Sequence, residues 1–215
     1  MLEAKAILFD LDGTLIDTAP LIGEIFNSMR IEVGMQALSI HNYRNWISLG
    51  ALELVNRAMG AGNNDSTILL NEFRKRYREL NTPHDSLFSG AVTVVNRLYL
   101  HGFKLAICSN KPEFLCNKVL METGLIDYFS IVVGGDTVEN SKPNPEPLEF
   151  ILLNLGISAN VAVFVGDSSV DQDASIAAHI PFIFFSKGYD DGVDITKTSY
   201  IIDDLNNLIE IFIPN

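Results

Sequence analysis

The stretch FDLDGTLID, residues 9–17, decides the reading of this chain. An apolar run, AILF (6–9), leads straight into Asp10, then Asp12, Gly13 and Thr14. Ionised carboxylates are costly to bury and repel one another at close range. If the strand continued through both acids, alternation would set Asp10 and Asp12 on one side. Such a pair needs a cation or a shared proton. Read alone, the stretch is equally a solvated strand end, because Asp and Gly favour turns. The rest of the chain decides between the two.

Four more short apolar runs follow: KLAICS (104–109), SIVVG (130–134), VAVFVG (161–166) and PFIFF (181–185). They lack strict alternation and are rich in β-branched or aromatic residues, as parallel strands covered on both faces are. Helix-length segments separate or follow them at 90–102, 112–124, 145–156, 170–178 and 203–212, several opening with Pro or closing with Gly. The alternation predicts an α/β fold, a doubly wound parallel sheet. Residues 18–88 break the pattern. TAPLIGEIFNSMRIEV, HNYRNWISLGALELVNRAM and STILLNEFRKRYREL carry helical spacing with no good strand between them, and GAGNND (60–65) is a loop. An all-helical insertion after the first strand is expected, with Trp46 in its core and EFRKRYREL (72–80) as a solvated helix face.

The chain has 215 residues, 47% of them hydrophobic and 20% charged, which suits one domain or one domain plus an insertion. A net charge of -12 disfavours a nucleic-acid partner, because phosphate backbones reward a basic surface. An anionic small substrate would need a local positive site or a bound metal. The two cysteines, Cys108 and Cys116, have no zinc-ligand spacing and fit a reducing cytoplasm. MLEAKAILFD is not expected to be a signal peptide, and no apolar run is long enough to span a bilayer.

Ligands in open α/β sheets bind beyond the carboxyl ends of the strands. Those ends carry Asp10 and Asp12, then Ser109, Asn110 and Lys111, then Lys142 in NSKPNPEP, then Asp167 and Asp171. Three carboxylates at two strand ends suit magnesium. A hydroxyl, backbone N–H groups and a lysine suit a phosphoryl group. One carboxylate could attack phosphorus, and another two residues on could move the protons. Each piece alone reads otherwise: Ser109-Asn110 as a turn, Lys142 as a surface lysine, Asp167 and Asp171 as a helix cap with a first-turn charge. Their joint occurrence at four strand ends argues for a site.

FDLDGTLID, ICSNKP, GGDTVENSKPNPEPL and FVGDSSVDQDASIAA together resemble the four motifs of the haloacid dehalogenase superfamily of phosphotransferases, in family order. Within it, SNKP, the third motif and the late GYDDG most resemble phosphoglycolate phosphatases. The resemblance implies a Rossmann-like core at 1–16 and 89–215 and a small helical cap at 17–88. It implies a magnesium-dependent phosphomonoesterase acting on a small phosphorylated metabolite of the 2-phosphoglycolate kind, as a cytoplasmic monomer or homodimer with no membrane partner. Asp10 would be nucleophile and metal ligand. Asp12 would be general acid/base, giving its backbone carbonyl to Mg2+. Gly13, Thr14, Ser109, Asn110 and Lys142 would hold the phosphoryl group, with Lys142 also countering charge on the nucleophile and the transition state. Asp167 would be a metal ligand and Asp171 a ligand or support.

A phosphosugar mutase or a sugar-phosphate phosphatase, such as one for N-acetylmuramic acid 6-phosphate, stands as the alternative on the same scaffold. DGT rather than DGV leans away from the mutases, and Asp12 away from a dehalogenase. A phospho-receiver module carries its acceptor after the third strand and has no insertion. Two departures bear on the substrate. His179 stands where the family often has Gly and is expected to be partly buried or capping, and GYDDG replaces a GYN-type segment. Arg44, in HNYRNW, is expected to be either a structural arginine or a reader of a substrate carboxylate.

Overall fold

The computed structural model describes residues 4–60 and 65–213. Met1–Glu3, where the chain's leader-free start is expected, and 61–64 of the 60–65 loop lie outside the described residues. The core is a six-stranded parallel sheet in the order β3-β2-β1-β4-β5-β6. Its strands are β1 (Ala6–Phe9), β2 (Lys104–Cys108), β3 (Ile131–Val133), β4 (Ala162–Gly166), β5 (Phe182–Phe185) and β6 (Tyr200–Ile202). The sequence reading anticipated the first five. It missed β6, whose three residues carry two exposed side chains and so no buried run. The strand order reverses between β1 and β4, so the acids that follow these neighbours come together at the switch point.

Alternation divides the core into two layers. Ile7, Phe9, Leu105, Ile107, Val163 and Val165 pack on the side of α5 (Ala91–Leu100), α6 (Glu113–Glu122) and α9 (Asn207–Phe212). Ala6, Leu8, Ala106, Cys108, Ala162 and Phe164 pack against α7 (Glu146–Leu155) and α8 (Ser169–Ala177). Both cysteines are free and buried, as a small apolar residue would be.

Between β1 and α5 lie α1 (Ala19–Glu32), α2 (Ile40–Ile47), α3 (Ala51–Met59) and α4 (Ser66–Glu79). HNYRNWISLGALELVNRAM is two helices, because Gly50 takes φ +91° and breaks the run. Stacked Phe26, Tyr43 and Phe73 centre this group, and Trp46 meets Tyr43 edge-on from a half-buried position. EFRKRYREL is only partly a solvated face: Phe73 and Tyr77 are buried. The two connections to the sheet run side by side. The Asp17 amide donates to the Ser86 carbonyl at 2.7 Å, and that of Phe88 to the Leu15 carbonyl at 3.0 Å.

Candidate active site

β1 ends at Phe9, so Asp10 and Asp12 leave the strand and do not share one side of it. Both line one cleft, about 250 Å³ of empty space, with Ser48, Ser109, Asn110, Lys111, Lys142 and Asp171. Each acid has its own ammonium. Lys142 Nζ lies 3.0 Å from Asp10 Oδ1, and Lys111 Nζ lies 3.1 Å from each oxygen of Asp12. All four side chains are at most 9% exposed.

Lys142 also donates to the Cys108 carbonyl at 2.7 Å and to Asp171 Oδ1 at 2.5 Å. With Asp10 counted, its ammonium faces three oxygens. Burial opposes its charge, but Asp10 and Asp171 outweigh that and hold its pKa above the ordinary lysine value. The same balance, with Asp12 and Tyr77, raises Lys111. The Lys111 ammonium rests 4.5 Å from the Tyr77 ring centroid, so α4 touches the site. Sequence reasoning left Lys111 without a role. The signal was present: it follows a strand end in SNKP.

Asp171 serves two structures at once. With Ser168 it forms the capping box of α8: the Ser168 amide donates to Asp171 Oδ2 at 3.1 Å, and the Asp171 amide donates to the Ser168 hydroxyl oxygen at 3.3 Å. Of the sequence's bland alternative, the first-turn charge at Asp171 coexists with the cluster, but the cap is Ser168 and not Asp167. Asp167 accepts from the Thr14 hydroxyl at 2.8 Å and from the Tyr189 amide at 2.6 Å. Thr14 is fully buried and its hydroxyl points at Asp167. Gly13, at φ +91°, passes so close to the Asp167 carboxylate that a Cβ would collide with it. Tyr189, in the GYDDG segment, also bonds Asp17 through its hydroxyl at 2.9 Å.

Ser109 is buried, and its hydroxyl accepts from the Lys111 amide at 3.3 Å. The Asn110 amide nitrogen donates to two carbonyls, Ser48 at 3.1 Å and Lys142 at 2.9 Å. Asp12 takes a further bond from the Thr18 hydroxyl at 2.6 Å. Arg44 pairs with Asp17 at 2.5 Å, at the root of the helical group. His179 is exposed at φ 57°, the left-handed position that follows α8, so it is a capping residue and not a partly buried one.

Carboxylate oxygens of Asp10, Asp167 and Asp171 lie within 4.8 Å of one another. With Asp12 and the two lysines counted, this buried group carries two negative charges in excess. Burial first, then the Asp171 charge, pushes Asp10 up to about 7, and burial with the same neighbours raises Asp167 well above the carboxylate range. Asp10 Oδ1 is buried with the Lys142 ion pair beside it and no well-formed hydrogen bond. An all-oxygen donor set with a surplus of carboxylates fits a hard divalent cation.

Residues 7–185 match the family model of the haloacid dehalogenase-like hydrolases. The chain is 33% identical over 217 residues to a phosphoglycolate phosphatase of Pseudomonas fluorescens (strain Pf0-1), covering 95% of this chain and 78% of that protein. It is 37% identical over 192 residues to a plasmid phosphoglycolate phosphatase of Cupriavidus necator, covering 87% and 83%. The crystal structure of a predicted phosphoglycolate phosphatase from Haemophilus somnus 129PT superposes with a TM-score of 0.89 at 27% identity, over 98% of this chain and 99% of that one. A β-phosphoglucomutase from Clostridium difficile shares the fold, with a TM-score of 0.76 at 19% identity over 95% and 93%. The family match and these identities, over a sheet with its acids at the switch point, make the chain a member of the haloacid dehalogenase-like hydrolase family and an enzyme.

Proposed function

We propose that the protein is a magnesium-dependent phosphomonoesterase for a small phosphorylated metabolite of the 2-phosphoglycolate kind, working through an acyl phosphate on Asp10. One observation carries the reading: Asp10 presents a buried carboxylate oxygen that is ion-paired with Lys142 but makes no hydrogen bond, within a three-acid cluster. The names of the relatives support the substrate class.

In the first step, a carboxylate oxygen of Asp10 attacks phosphorus in line. The bond from phosphorus to the ester oxygen breaks, and Asp12 gives that oxygen a proton. In the second step, Asp12 takes a proton from water, the water oxygen attacks phosphorus, and the bond to Asp10 breaks. Lys142, Ser109 and the loop at Gly13 and Thr14 would hold the phosphoryl oxygens, with Asn110 at the wall of the cleft. Asp10, Asp167 and the Asp12 carbonyl would hold Mg2+, with Asp171 in support. Bound there, the ion would offset the excess negative charge and that of the phosphoryl oxygens.

Residues 17–88 would act as a cap on a core of 1–16 and 89–215. Two adjoining connections suit a hinge, and closure would exclude bulk water during attack. Two free buried thiols suit a reducing cytoplasm. No helix among the described residues is long and apolar enough to cross a membrane. The chain would work as a monomer or homodimer, with no nucleic-acid partner. Turnover of p-nitrophenyl phosphate and 2-phosphoglycolate, with magnesium and with chelator, tests the reading. Inertness towards both, or undiminished turnover in chelator, would contradict it.

A further inference from the structure

Beside the cleft lies a second, larger lobe of about 770 Å³ of empty space, between α3 and α4 on one side and the loops after β2 and β3 on the other. Asn110 lines both spaces. The lobe contains three charged side chains: Glu53, Arg74 and Asp136. Two are committed. Glu53 pairs with Arg57 at 2.6 Å, and Asp136 accepts from the Glu113 amide at 2.7 Å. Arg74 is not. It makes no hydrogen bond or ion pair among the described residues, and its Nε is buried without a partner. A shielded, unpaired donor is costly in a finished structure. Arg44, the arginine that sequence reading singled out, already holds Asp17.

From this contrast we infer that Arg74 is the specificity-determining residue of the site and reads a second anionic group, a carboxylate or a second phosphate, on the leaving alcohol. A guanidinium fork takes either anion in a bidentate manner. The inference rests on the phosphatase reading above: the reacting phosphoryl group sits against Asp10 and Lys142, and the remainder of the substrate extends past Asn110 into the lobe. Among the lobe's lining residues, Arg74 is the cation. A phosphomonoester with an uncharged leaving group gains nothing from it.

The test compares kcat/KM for 2-phosphoglycolate, a sugar bisphosphate and p-nitrophenyl phosphate in the wild type, Arg74→Ala, Arg74→Gln and Arg74→Lys. For one of the two anionic substrates, the efficiency relative to p-nitrophenyl phosphate should fall about 10- to 100-fold in Arg74→Ala, as loss of a charged hydrogen bond does. The loss should appear mainly in KM, and Arg74→Lys should recover part of it. Which ratio falls distinguishes carboxylate from phosphate. Arg74→Gln keeps the stem and serves if the alanine variant does not fold. Lys75→Ala, an exposed change on the same helix, should leave every ratio as it is. Unchanged ratios in Arg74 variants that still hydrolyse p-nitrophenyl phosphate would overturn the role of Arg74 alone. A wild type inert towards all three esters would overturn the phosphatase reading, and this inference with it.

Discussion

The Lys111 ammonium bridges both carboxylate oxygens of Asp12 at 3.1 Å, across 99 residues of chain and largely buried. The pair ties the loop after β2 to the loop after β1. Removing one partner of a buried pair strands the other, so Lys111→Met should cost about 3–5 kcal/mol of stability. Adding Asp12→Asn should recover part of that loss, because the stranded charge goes too. Urea melts of the two single variants and the double variant check this. Strict additivity would mean that the pair is not coupled.

Asp10→Asn should abolish turnover and leave the fold intact, since the amide has nearly the same shape but is a poor nucleophile. It should also raise the melting temperature of the metal-free protein at pH 8, where the native carboxylate sits among Asp12, Asp167 and Asp171. Circular dichroism melts in EDTA check it. A lower melting temperature would show that Lys142 outweighs the repulsion.

The raised acids give the metal-free protein a definite pH dependence. Asp10 moves from its ordinary 3.8 up to about 7 on folding, and Asp167 moves the same way. The folded state therefore holds protons that the unfolded chain has released, and stability falls as pH rises from about 4 to 7. A divalent cation should oppose that fall. Melts at pH 5 and 7.5, with EDTA and with magnesium, provide the check. Metal-free stability that rises over this range, or that magnesium leaves unchanged, would contradict the assignment of the cluster.

His179 holds a left-handed φ of 57° at an exposed turn. A side chain there costs about 1–2 kcal/mol, and glycine returns some of that as unfolded-state entropy. His179→Gly should therefore stabilise by roughly 0.5–1 kcal/mol without changing kcat. Destabilisation would reveal a role for the imidazole beyond capping.

Asp10, Asp167 and the strands before them were legible because strand-end placement follows from local pattern and parallel topology. The family resemblance set Lys142 beside Asp10, and the two do pair. The Lys111–Asp12 pair was not legible, because it depends on how the loops after β1 and β2 are set in space, which no spacing records. Arg44 and Arg74 look alike in sequence; only the third dimension gives one of them Asp17 and leaves the other facing a lobe. Thr14 read as a phosphate contact because its motif does, yet its hydroxyl reaches Asp167. β6 escaped because an edge strand with two exposed residues has no buried run to detect.

The central claim is that Asp10 carries the phosphoryl group between two half-reactions. Asp12→Asn should slow hydrolysis of that acyl phosphate, while p-nitrophenyl phosphate, whose leaving group needs little protonation, still reacts in the first step. Rapid quench of this variant with magnesium and p-nitrophenyl phosphate, followed by peptide mapping, is the direct measurement. Phosphate is expected on Asp10, formed with the burst of p-nitrophenol and missing when Asp10 is also Asn. Product release with no phosphorylated protein, or phosphate on another residue, would contradict it.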